Sequence, residues 1–370
     1  MQATIDLKEL KVALEKTIRG VPNRATLPIL SGILIEADGP QNIRFSANDL
    51  EMGIVTGCPA SIEEESSIVV PGKIFYNIVR SLNGQKVLVR SNPENITEVT
   101  CGKSYYKLSG FPATDFPSFP PFDHSRFLSF PGVDLKEGVN QTCFAASKDE
   151  ARPALTGVLL EIKEGFAYLV ATDGHRLSLR KILVPGFQPG QEIYYILPAR
   201  VAVEIMRSIT AEKVLIYPGN GEILVEMGSF SLYSRLIEGE FPDYQQVMPS
   251  EFLTKVTVKR EQFISVLERM SLVAPPDMGL IQIHFEREFM TVVCESPEVG
   301  IAREETEVFV DGQNIDIAFN VRFLLDCLRV APWEDVTLGI NGEVSPVKVF
   351  GKTDEFQSII MPIKIHKGEE

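Results

Sequence analysis

The stretch VATDGHRL, from Val170 to Leu177, places a carboxylate two residues before an imidazole, a pairing that could orient a histidine for proton transfer. Nothing else that such chemistry needs accompanies it. The chain has no G-x-S-x-G, no H-E-x-x-H, no G-x-x-x-x-G-K-S/T and no G-x-G-x-x-G opening a helix. Its four histidines cannot furnish a multi-histidine centre, and Cys58, Cys101, Cys143, Cys294 and Cys327 are scattered without a C-x-x-C pair. A lone Asp-x-His is weak ground for catalysis. The local alternative is a turn in which Asp173 hydrogen-bonds nearby backbone and Gly174 supplies a positive φ. No catalytic residue, metal or cofactor is expected.

The second chemistry in the sequence is phosphate attraction, and it comes in triplicate. PGKIFYNIVRSL from Pro71, PARVAVEIMRSI from Pro198 and NVRFLLDCLRVA from Asn320 are one amphipathic helix written three times. Basic residues fill the third and tenth places of every copy: Lys73 and Arg80, Arg200 and Arg207, Arg322 and Arg329. A spacing of seven is two helical turns, so each pair shares a face. Ile74, Val201 and Phe323, with Ile78, Ile205 and Cys327 at i+4 and Val79, Met206 and Leu328 at i+5, are expected to form the buried face. Against six basic residues the copies hold two acids, Glu204 and Asp326, in a chain whose net charge is −14. Acids therefore concentrate elsewhere, and the runs Glu63–Glu65 and Arg303–Glu307 suit an outer, solvated face.

These helices must be carried by repeated domains. A strand ending in an acid and a turn recurs at IRFSANDLEM from Ile43, AYLVATDGHR from Ala167 and FMTVVCESPE from Phe289. The helix copies lie 127 and 122 residues apart and the strand copies 124 and 122, close to one third of 370 residues. Each repeat opens on another helix: Leu7–Arg19, a weaker one around Lys136–Lys148, and Lys259–Val273. Between helices run short β-branched segments bounded by Gly, Asn and Pro, the pattern of antiparallel hairpins. Proline-rich joints at Phe111–Asp123 and Phe241–Pro249 mark the boundaries. The expectation is three α+β domains, 1–126, 127–251 and 252–370, each with two helices and many strands. No apolar run approaches the roughly 18 residues of a membrane span. The opening MQATIDLKEL lacks a secretory pattern, so a reducing, cytoplasmic setting is expected.

ATLPIL (25–30), NDLEM (48–52), VATDGHRL (170–177), EGEFPDYQQVMP (238–249) and MPIKI (361–365), in that order on a triplicated chain, resemble the bacterial DNA polymerase III β-subunit family, the sliding clamps. The resemblance implies three repeated domains of the DNA-clamp fold, two helices on antiparallel sheets in each. It also implies a head-to-tail homodimer closed into a ring around duplex DNA. It implies that Arg24, Lys148 and Arg152 join the six helix residues in facing DNA without reading its sequence. A hydrophobic peptide cleft is implied at Leu155, Thr172, Gly174, His175, Arg176, Leu177, Pro242, Val247, Val344, Pro346, Met361, Pro362 and Ile363. The implied ring interface joins the edge around Lys103, Tyr106 and Leu108 to Leu272, Val273 and the strand near Glu298. For Leu272 the competing expectation is ordinary core.

The implied partners are double-stranded DNA, the polymerase III catalytic subunit, the clamp loader, and other polymerases and repair factors that carry short clamp-binding motifs. The chain would be a processivity factor and not an enzyme. The competing reading from another class is a repeat-built scaffold that never touches DNA. Two departures from the family pattern stand out: Gln246, where relatives often carry a basic residue, and the extension His366–Glu370 beyond the last strand.

Overall fold

The computed structural model describes residues 1–187, 192–275 and 279–364. The extension His366–Glu370 lies outside the described residues. Among the described residues six α-helices carry the triplicated pattern: α1 (Leu7–Thr17), α2 (Gly72–Ser81), α3 (Gly132–Thr142), α4 (Ala199–Ser208), α5 (Arg260–Val273) and α6 (Val321–Val330). A strand feeds directly into each helix, so the helix start is set by where the ladder ends. Asp6 caps α1 by accepting from the N–H groups of Lys8 (2.8 Å) and Glu9 (3.4 Å), and Asn320 caps α6 through Arg322 N–H (2.9 Å).

Two expectations are corrected here. The opening helix of the second repeat runs over Gly132–Thr142 and not Lys136–Lys148, with a 3-10 turn at Cys143–Ala145. Its start copies the Pro-Gly start of α2. At its end the Thr142 hydroxyl bonds back to the Gly138 carbonyl at 2.8 Å, a contact that competes with regular continuation. The second correction concerns the buried face of the triplicated helix. The position fully buried in all three copies is the fifth (Phe75, Ala202 and Leu324, each 0% exposed), whereas Ile74 at the fourth is 54% exposed. Of the expected face Val79, Val201, Ile205, Cys327 and Leu328 are buried, while Ile78, Met206 and Phe323 are half-buried and Ile74 is on the surface.

The described chain divides into two compact units, Met1–Val133 with Arg207–Leu236, and Asp134–Met206 with Ile237–Glu370. The division cuts the second repeat because each half of it is hydrogen-bonded to a neighbour. In the first unit a twelve-stranded antiparallel sheet includes the pairing of Met52–Glu64, from the first repeat, with Phe230–Arg235, from the second. In the second unit a nine-stranded sheet includes Arg176–Leu183 paired with Phe356–Ile360, joining the second repeat to the third. A further four-stranded sheet belongs to the third repeat.

Each unit has its own core. In the first, Leu7, Leu10 and Leu14 of α1 meet Phe75 and Val79 of α2 over the sheet. In the second, Phe263, Leu267 and Met270 of α5 meet Leu324 and Leu328 of α6. Side chains of this size stabilise by about 1.5–3 kcal/mol each on full burial, so the helix pairs are fixed by their inner faces. Their outer faces are left to carry charge.

Candidate functional site

VATDGHRL forms a strand, Phe166–Thr172, a turn and a second strand, Arg176–Leu183. The Asp173 carboxylate is consumed by the turn. Its Oδ1 accepts from the N–H groups of His175 and Arg176, both at 2.9 Å, and its Oδ2 accepts from Arg176 Nε at 3.1 Å. Gly174 takes φ 89°, and its N–H donates to Thr172 Oγ1 at 3.1 Å. The carboxylate is therefore occupied by backbone and guanidinium donors, and the turn is structural.

Arg176 is the knot of this region. Nη1 donates to Asp326 Oδ2 of α6 at 2.6 Å and Nη2 to the Phe144 carbonyl at 2.7 Å. The guanidinium lies 5.3 Å from the Phe144 ring centre and 4.6 Å from that of Phe323. With its side chain only 12% exposed, it ties the turn to the 3-10 segment Cys143–Ala145 and to α6. Removing one partner of a buried ion pair typically costs about 3–5 kcal/mol, and with Asp173 18% and Asp326 38% exposed the loss here falls at the low end. Arg176→Ala is accordingly expected to lower stability by about 3 kcal/mol in urea titration, a deficit that Arg176→Lys recovers only in part because lysine has no planar fork. Equal midpoints for wild type and Arg176→Ala would contradict this.

Beside the turn lies an apolar cavity of about 160 Å³ lined by Leu155, Thr172, Gly174, His175, Arg176, Leu177, Pro242, Asp243, Tyr244, Val247, Ile359 and Met361. Met361 reaches it because its N–H donates to the His175 carbonyl at 2.8 Å, continuing the strand by one residue. Its floor is part of a small core with Leu159, Leu179 and Phe241. Tyr244 is held from behind: its hydroxyl donates to Glu161 Oε2 at 2.5 Å, and Lys163 Nζ pairs with the same oxygen at 2.9 Å. Burial, and then Glu161, push the Tyr244 phenol well above its ordinary range, so it remains a neutral donor.

Of the expected cleft residues, Val344, Pro346, Pro362 and Ile363 do not line this cavity. Pro362 has no N–H to extend the ladder, and Ile363 N–H instead bonds the Ala318 carbonyl at 2.8 Å. That step carries Ile363, with Val344, to a separate and more polar hollow of about 330 Å³ that also holds the His284–Asp316 pair (2.8 Å). Asp243, Tyr244 and Ile359 were missed. The signal for Tyr244 was present, since FPDY (241–244) repeats FPSF (116–119) at the domain spacing.

The basic residues all sit on exposed surface: Arg24, Lys73, Arg80, Lys148, Arg152, Arg200, Arg207, Arg322 and Arg329. Lys73 Nζ donates to Asn23 Oδ1 at 3.1 Å, Arg152 pairs with Asp149 at 3.2 Å and Arg329 with Glu268 at 2.9 Å. Exposed pairs of this kind are worth about 0–1 kcal/mol and give way readily to a phosphate. The acidic runs are less uniform than expected. Glu63–Glu65 are exposed, but Glu304 makes a two-pronged contact with Arg269, Nε to Oε1 at 2.7 Å and Nη2 to Oε2 at 2.5 Å.

The strand Ser104–Ser109 is an end strand of the twelve-stranded sheet, and Gly300–Glu307 an end strand of the four-stranded sheet. Lys103 leads into the first, where Tyr106 and Leu108 are half-buried. Leu272 is 79% exposed and so is not core, while Val273 packs partly against the core and Glu298 is exposed. Val299 and Ile301 beside it are 62% and 71% exposed. Apolar side chains on an open strand edge invite pairing.

Family models described as the N-terminal, central and C-terminal domains of the DNA polymerase III beta subunit match residues 1–120, 130–243 and 245–364. The chain is 30% identical to the beta sliding clamp of Synechococcus elongatus, covering 96% of this chain and 97% of that one. The crystal structure of the Bacillus subtilis DNA polymerase sliding clamp superposes with a TM-score of 0.95 at 25% identity, over 99% of this chain and all of that one. A sliding clamp from Pseudomonas aeruginosa bound to griselimycin superposes at 0.93 with 29% identity, over 99% of this chain and all of that one.

Proposed function

The chain belongs to the DNA polymerase III β-subunit family and acts as a DNA sliding clamp without a catalytic site of its own; from that premise we propose how its residues divide the work. Two copies close head to tail, the edge Lys103–Leu108 of one protomer pairing with Gly300–Glu307 of its partner, with Tyr106 and Leu108 against Leu272 and Val273. The three domains of each copy meet near residues 126 and 251. The nine basic residues face the duplex, and the cavity between Leu177 and Met361 takes short apolar segments of partner proteins.

The observation that carries this reading is the triplicated basic pair at i and i+7 on the exposed face of α2, α4 and α6. Attraction to phosphates alone lets DNA pass at any sequence, whereas contacts to base edges would stall it. The cleft offers apolar walls with Met361 at its lip, a side chain that repacks around different occupants. A polymerase held there rebinds its template before it diffuses away, an effect of local concentration. The catalytic subunit, the clamp loader and other polymerases or repair factors would compete for it, and cytoplasm is the compartment this reading requires. Among the described residues no helix is long and apolar enough to cross a membrane.

Sedimentation equilibrium is expected to give twice the 41.1 kDa chain mass. Leu272→Asp, at a site already 79% exposed, should give single chains of unchanged thermal midpoint. A wild-type mass that stays at one chain over the micromolar range would refute the paired edges.

A further inference from the structure

The frame of the peptide cavity occurs twice. In the second unit Leu177 pairs with Ile359 and the His175 carbonyl accepts from Met361 N–H at 2.8 Å; in the first unit Gly53 pairs with Tyr233 and the Glu51 carbonyl accepts from Arg235 N–H at 2.9 Å. The turns match as well. Asp49 Oδ1 accepts from the N–H groups of Glu51 (3.0 Å) and Met52 (2.7 Å), as Asp173 does from His175 and Arg176. Leu50 holds φ 77° where Gly174 holds 89°. Phe116 and Phe241 begin the two linkers at corresponding places, each packed on the paired strands that open its repeat.

From there the linkers part. Tyr244–Val247 coils into a 3-10 turn that leaves Val247 on the wall of an open cavity. The corresponding segment of the first linker has Pro120 and Pro121 where the second has Gln245 and Gln246. A proline disfavours helical backbone in the residue before it, so this stretch cannot close the same turn. Phe119 instead packs on Gly53, occupying the space a Cβ there would need (2.0 Å to Cε1). Phe119 and Phe122 meet the Tyr233 ring at 5.9 and 6.1 Å between centres.

We propose that the first unit holds a second copy of the peptide cleft, built on the same backbone frame and sealed by the chain's own Phe119 and Phe122 against Tyr233. The ligand class of the sealed site is that of the open one, a short apolar peptide segment. Sealing leaves each chain with one peptide site, so partners must compete for it and cannot occupy two sites side by side. The proposal rests on the reading of the open cavity as a peptide cleft.

Titration of the full chain with a fluorescein-labelled pentapeptide of apolar residues tests it, by anisotropy and binding stoichiometry. Wild type should bind one equivalent per chain, abolished in Met361→Asp; no binding by wild type would be a failure of the cleft reading itself. The opening variant (Phe119→Ala, Pro120→Gln, Pro121→Gln, Phe122→Val, Tyr233→Ile) should bind two equivalents, one of them surviving Met361→Asp. The closing variant (Gln245→Pro, Gln246→Pro, Val247→Phe, Ile359→Tyr) should bind at least tenfold more weakly than wild type. One equivalent in a cooperatively melting opening variant, or wild-type affinity in the closing variant, overturns the proposal. Should the opening variant fail to fold, the closing variant decides.

Discussion

A chain ended at Ile360 is expected to form its dimer but to give a polymerase no stimulation. Met361 is the last side chain on the cavity wall, and its N–H bond to His175 keeps the departing segment against the turn. Without it Leu177 and Ile359 are enclosed on one side fewer, and an entering side chain is left open to water there. Buried anchors in such interfaces are commonly worth about 2–4 kcal/mol, which is roughly a 30- to 1000-fold drop in peptide affinity. The fold should tolerate the cut. It costs the two described backbone bonds of Met361 and Ile363, each worth about 1 kcal/mol net. Met361→Ala in the full chain separates the effect of the wall from that of the strand, and should weaken a labelled peptide by about tenfold with an unchanged melting midpoint. Full stimulation by the truncated chain would show that partners are held elsewhere.

Replacing Arg80, Arg207 and Arg329 by glutamate should leave chain mass and melting nearly unchanged while retention on DNA falls by one to two orders of magnitude. All three are the second member of a basic pair, on exposed helix surface. Every phosphate that goes without a basic partner lowers the salt exponent of binding by about 0.9, so three should lower it by about 2.7. Arg329 requires a control, because its partner Glu268 at 2.9 Å would meet a like charge in the reversed variant. Arg329→Gln removes the attraction without creating that repulsion and should follow the same trend at smaller size. An unchanged salt exponent in the triple variant would make the basic set irrelevant to DNA.

The helices and the repeat were legible in the sequence because period and spacing are local properties. α5 and α6 fall within a residue of where amphipathicity placed them, since a helix face can be read from i and i+4 alone. What failed to read was whatever depends on the neighbour. Ile74 counts as apolar in any pattern, yet only packing decides that Phe75 takes the core and Ile74 the surface. Glu304 looks like one acid in a solvated run until the strand brings it beside Arg269. The Asp173 turn could be anticipated because Asx side chains bond two and three residues ahead. Arg176 could not, since its partners Asp326 and Phe144 are distant in sequence. Pro362 and Ile363 are placed in the cavity by the resemblance alone; Pro362 has no N–H to extend the ladder, and Ile363 N–H bonds the Ala318 carbonyl instead.

The most direct test of an enclosing clamp is retention on DNA of different topology. Loaded onto a nicked circular duplex and passed over a sizing column at about 0.5 M salt, where open electrostatic contacts are largely screened, the protein should elute with the circle. After a single restriction cut it should run off the ends and elute alone. Equal release from circle and linear duplex would mean that DNA is held by surface charge and not by enclosure.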